Sequence, residues 1–201
     1  MTKKPARTRL LPDERRAQLI RHAVACFADH GIARATQAQV AARAGVSVSA
    51  VYSYFRTRAD LVAAVLEFVE TTIAAMVADA LSAPLPALEA LTNLASRTAD
   101  MALHEPDTVR VWLDWSTGVR ADIWPQFLTL QGRLRILVEA VLVRSSAPLP
   151  EQHLVTSTAR LFVGGAHTLA LMRFENVSEP ELNLFIDQMV TGVLSALTRC
   201  G

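Results

Sequence analysis

The chain is expected to be all-α, with an N-terminal three-helix helix-turn-helix head joined to a longer helical body, about nine helices in all. Three observations support this. Of its 201 residues 51% are apolar, Ala and Leu dominate, and alternating β-branched runs are scarce. The nine prolines fall near the ends of segments with a helical apolar period, not in their middles. The charge is also split. Residues 1–60 hold 11 Lys+Arg against 4 Asp+Glu (+7), and residues 61–201 hold 9 against 15 (−6), so the net charge of +1 conceals a basic head on an acidic body.

In chain order, residues 1–10 gather Lys3, Lys4, Arg7 and Arg9 around Pro5. Such an arm either follows a DNA backbone or enters its minor groove, or simply solubilises the chain. The first helix runs from about Asp13 to His30, stopped by Gly31, with Ile20, Ala23, Val24, Phe27 and Ala28 on one face. Cys26 lies on that face as a small hydrophobe, and with Cys200 it makes no disulfide framework. His22 and His30 lack partners at metal-ligand spacing, so neither metal nor cofactor is expected.

Thr36 with Gln39 forms a capping box that opens a short helix carrying Val40, Ala41 and Ala44. Gly45 ends it, because glycine takes a positive φ without steric cost. Ser47 caps a second short helix whose buried side is Ala50, Val51 and Phe55. Its other side shows Val48, Ser49, Tyr52 and Ser53, with Tyr54 near the end and no charge among them. Hydroxyls and methyls in that arrangement, Ser47 included, suit contacts to base edges better than idle solvation. Thr36, Tyr54 and Arg58 are assigned to the DNA backbone, where contacts set register without reading sequence. Arg58 opens the next helix. That position is unfavourable for the helix dipole but favourable for a phosphate beside the free N–H groups.

That long helix spans about 57–81. Glu67, Glu70 and Asp79 interrupt its apolar run, and the N-terminus lacks a secretory signal, so no membrane span and a cytoplasmic location are expected. Further helices are expected at about 86–104, 107–117, 122–143, 150–174 and 179–199, separated by proline- and glycine-bearing breaks. Pro125 is tolerated because it falls in a first turn. In the last helix Leu182, Phe185, Met189 and Val193 belong to one apolar stripe. Gly164 and Gly165 sit mid-helix at a cost of about 1 kcal/mol each relative to Ala, which implies close packing or room for a ligand.

From Val40 to Leu61 the chain resembles the DNA-binding signature of TetR-family regulators. Ala41, Ala44, Gly45, Val46, Ser47, Tyr52, Tyr54, Phe55, Thr57 and Leu61 stand at its anchor positions. Ser49, Val51 and Arg58 replace the commoner Gly, Leu and Lys. Within the family, VWLDWS from Val111 and the later R-A-D-I-W-P-Q-F are similar to the HapR/SmcR-type quorum-sensing master regulators. Arg7 to Leu10 and Val46 to Val62 share that similarity, although Ser53 stands where those regulators usually carry Asn.

The resemblance implies a basic arm (1–10), a DNA-binding domain (11–57) and an effector-binding and dimerisation domain (58–201). It implies a homodimer on a double-stranded palindromic operator, acting as a repressor or a dual regulator. The last two helices would pair across the dimer, with Gly164, Gly165 and Gly192 at close approach; ordinary packing within one chain is the competing reading. A small apolar effector would occupy a pocket lined by Ile73, Met76, Trp112, Trp115, Trp124, Phe127, Gln131, Ala166 and His167. The competing reading makes the tryptophans core.

Two other classes fit less well. No G-x-S-x-G, H-E-x-x-H, phosphate loop or C-x-x-C is present, so an enzyme is not expected. A helical protein-interaction module accommodates the apolar faces but leaves the uncharged Ser/Tyr face and the basic head without a purpose.

Overall fold

The computed structural model describes residues 11–118, 122–144, 146 and 150–198; Arg7, Arg9 and Cys200 lie outside them. The described residues form nine helices and no strand: α1 Pro12–His30, α2 Gln37–Ala44, α3 Val48–Tyr54, α4 Arg58–Ala80, α5 Ala87–His104, α6 Pro106–Thr117, α7 Trp124–Arg144, α8 Gln152–Phe174 and α9 Glu179–Thr198. The chain folds into two compact units that divide between Phe68 and Val69, within α4. The division lies eleven residues beyond the 57/58 boundary read from sequence, because the first turns of α4 bury Leu61, Val65 and Leu66.

In the first unit α1 packs on α2, and α2 on α3. Leu19, Ala23, Phe27, Val40, Val51, Phe55 and Leu61 are almost completely buried there, and Cys26 is a buried free thiol. Glu14 accepts from the Leu11 backbone N–H at 2.9 Å with Pro12 in the first turn, which starts α1 cleanly.

In the second unit α8 packs against α5, α7 and α9, and α5 also meets α6, α7 and α9. The largest buried side chain is Trp115, whose indole N–H donates to the Ile123 carbonyl at 3.1 Å. Among the described residues α4 is the one helix long and apolar enough to cross a membrane by length and composition. Its Glu70 instead pairs with Arg133 at 2.6 Å and accepts from Gln126 at 3.2 Å, and its Val69, Ile73 and Val77 are buried. Such pairing marks α4 as a core helix.

Candidate functional site

The head presents α3 through a set of directional bonds. Thr36 and Gln39 form the expected reciprocal cap on α2, the Gln39 N–H donating to Thr36 Oγ1 at 3.3 Å and the Thr36 N–H to Gln39 Oε1 at 2.8 Å. Gly45 takes φ 63° and ψ 35°, the left-handed conformation that the turn requires. Ser47 Oγ accepts from the Ala50 N–H at 3.2 Å and lies 3.0 Å from Ser49 Oγ. Thr57 and Asp60 cap α4 in the same reciprocal way, at 2.9 and 3.0 Å.

This geometry revises several roles. Val48 (42%) and Tyr52 (47%) are exposed, as are Ser49 and Ser53, while Val51 and Phe55 are buried, so one uncharged face of α3 is free. Ser53 Oγ, however, donates to the Ala50 carbonyl at 2.7 Å, and Ser47 Oγ accepts the cap bond of its own helix. Tyr54 is half-buried and Thr36 exposed. Arg58 departs most from expectation. Its guanidinium turns back to the loop, donating to the Ala35 carbonyl at 3.1 Å and to the Ile32 carbonyl, so its first job is to hold the α1–α2 connection.

Gln37 is the residue that sequence reading missed. Its buried amide donates to the Phe55 carbonyl at 2.5 Å and the Thr57 carbonyl at 3.3 Å. Those carbonyls follow α3, so Gln37 fastens the end of the exposed helix to the start of α2. Its position just after the Thr36 cap was the only available signal, and helix starts often carry glutamine for propensity alone.

Two spaces of the body take up residues expected at a pocket. An apolar cavity of about 50 Å³ is lined by Ile73, Met76, Trp112 and Ala166, as expected, and also by Thr98, Met101, Val138 and Phe162. A groove of about 490 Å³ is lined by Phe127, Gln131 and His167 together with Ser116, Arg135, Arg160 and Gly164. The single pocket expected from sequence is therefore two. Trp115 and Trp124 line neither: Trp115 is core, edge-on to Phe127 at 5.6 Å, and Trp124 stacks on Phe127 at 5.1 Å. The His167 ring lies 4.1 Å from that of Trp112. Burial pushes its pKa below the ordinary histidine value, opposed by a hydrogen bond to the Val163 backbone.

Several residues expected at a dimer face are covered within the chain itself. Leu182 and Val193 are buried inside the protomer, Phe185 and Met189 are half-buried, and a Cβ on Gly165 would strike the Met189 thioether of the same chain. The apolar stripe of α9 was a real feature, but it faces α8 and α5. Outward on α8 lie Leu161 and Leu171, with Leu184 on α9. Gly164 and Gly192 have open space where a Cβ would stand.

Residues 19–65 match the family model described as "Bacterial regulatory proteins, tetR family". Over 184 residues, 90% of this chain and 89% of the relative, the sequence is 32% identical to the HTH-type transcriptional regulator LuxR of Vibrio harveyi. The chain belongs to the TetR family. It is thus a transcriptional regulator with a TetR-type DNA-binding domain. A stretch of 66 residues, 33% of this chain and 31% of the relative, is also 41% identical to the HTH-type transcriptional regulator TtgR of Pseudomonas putida. The TetR-type fold recurs in a TetR-like regulator from Rhodococcus sp. RHA1 (TM-score 0.74, 18% identity, 93% of this chain and 99% of that one). It recurs again in FadR of Bacillus subtilis, solved in complex with stearoyl-CoA (TM-score 0.73, 15% identity, 90% and 98% covered).

Proposed function

We propose that this TetR-family regulator reads a palindromic operator as a homodimer, acts as a repressor or dual regulator in the cytoplasm, and has no catalytic activity of its own. The observation that carries the reading is the free, uncharged face of α3, where Val48, Ser49 and Tyr52 stand exposed on a helix with a capped start and a fastened end. Two such helices about 34 Å apart enter successive major grooves. Arg7 and Arg9 of the basic arm reach the adjacent minor groove, and Thr36 and Tyr54 touch phosphates. Support for a dimer comes from the outward leucines Leu161, Leu171 and Leu184 beside the open Gly164 and Gly192.

An effector in the body would favour the dimer conformation whose heads no longer match the groove spacing. The small apolar cavity supports that reading, as does the acyl-CoA complex of the FadR fold relative. Similarity to LuxR and to the HapR/SmcR-type group supports a place in quorum sensing. The test selects duplexes from a random pool and titrates binding against salt. Wild type should yield a palindrome and lose affinity steeply with salt. Tyr52→Ala should weaken that duplex by about tenfold or more with unchanged thermal stability. Salt-insensitive binding, or no effect at Tyr52, would sink the proposal.

A further inference from the structure

The apolar cavity and the groove meet at one pair of rings. Trp112 lines the apolar cavity, His167 lines the groove, their ring centroids lie 4.1 Å apart at a tilt of 31°, and Val163 borders both spaces. Two donors at this partition have no acceptor. One is Nε1 of Trp112, a residue only 5% exposed, and the other is Nε2 of Gln131 on the groove wall. A buried N–H left unmatched is rare in folded proteins, because its desolvation is uncompensated.

The sizes are unequal in a useful way. A dry cavity of about 150 Å³ admits a benzene ring. The apolar cavity, at about 50 Å³, is too small for a ring but accepts the end of an unbranched alkyl chain. The groove, at about 490 Å³, falls in the range of ordinary ligand sites. It also carries polar side chains, among them the exposed guanidinium of Arg160.

We propose that the partition is a two-part site for a small straight-chain amphiphile. The chain end enters the apolar cavity, and an oxygen head seated at the partition accepts hydrogen bonds from Trp112 Nε1 on the cavity side and the Gln131 amide on the groove side. The proposal rests on the effector reading above and names the class of ligand for it.

Calorimetric titration of the full-length protein tests it, with n-octanol and octanoate as probes and cyclohexylmethanol as the ring control. At least one octyl probe should bind, at least about tenfold tighter than the ring control. Trp112→Phe keeps a six-membered aromatic ring but removes the N–H with the pyrrole half of the indole, and should weaken octyl binding by about tenfold. Ala166→Val fills the cavity and should abolish octyl binding without lowering the thermal midpoint. The proposal is overturned if neither octyl probe binds up to its solubility limit, if the ring control binds equally well, or if both variants retain wild-type affinity. Duplex affinity measured with saturating octyl probe separates the two readings. Octyl binding that leaves duplex affinity unchanged keeps the amphiphile site and removes the effector role.

Discussion

The head and the body hold their functional residues by different physics. In the head, nearly every residue that shapes the exposed face of α3 is fixed by a directional bond from a side chain to the backbone: Thr36, Ser47 and Thr57 at helix starts, Gln37 and Arg58 across the fold. In the body, positions are set mainly by apolar packing among long helices, and the buried donors Trp112 Nε1, Gln131 Nε2 and Arg173 Nε stay unmatched. Directional bonds suit a surface that must present atoms to a rigid duplex. Packing without direction suits a cavity whose occupant decides which of two shapes is preferred.

The largest effect that would sharpen this contrast is expected in the body core. Trp115→Ala removes a fully buried indole, and chemical denaturation should show a loss of about 3–5 kcal/mol. Next comes the head. Gln37→Leu leaves the Phe55 and Thr57 carbonyls buried without that donor, which predicts a loss of about 1–3 kcal/mol by the same measurement. Duplex affinity should fall with it, although Gln37 lies on the buried side. Unchanged affinity would mean that α3 needs no fastening, and the contrast would collapse.

Gly45→Ala should be milder, about 1–2 kcal/mol from forcing a Cβ into the left-handed region, since open space surrounds the site. The smallest effect concerns pH. Burial favours neutral His167, so the unfolded chain takes up a proton at a higher pH than the folded one. The stabilisation is therefore complete above about pH 6.5 and is lost progressively as pH falls below it. His22 is shifted in the same direction by burial, Arg43 and Arg21. A thermal midpoint that declines from pH 7 to pH 5, and declines less in His167→Phe, is the expected outcome.

Legibility in the sequence follows the same division. Thr36 with Gln39, Gly45 and Ser47 act within three residues of themselves, so their partners stand beside them in the chain and the head could be drawn from sequence. Gln37 and Arg58 reach carbonyls 18 to 26 residues away, and nothing local announces that. Helix ends were legible because proline, glycine and caps are local signals; the expected bounds differ from those observed by no more than two residues. In the body, periodicity reveals an apolar face but not its neighbour. Leu182 and Val193 therefore read as a dimer surface while packing inward. Trp112 and Trp115 share a helix face by spacing, yet only Trp115 finds a carbonyl for its N–H. Cavities are differences between packed volumes, and no residue pattern encodes them.

One placement has a practical consequence. Both tyrosines of the chain, Tyr52 and Tyr54, lie on α3, and all three tryptophans lie in the body. The two halves of the regulator therefore carry separate natural chromophores. Tryptophan emission, excited at the red edge where tyrosine does not absorb, arises from the body alone. Within the bundle Trp112 alone lies against an imidazole, 4.1 Å away and tilted by 31°. Changes in the packing of the body can thus be followed in an unlabelled sample without a signal from the head.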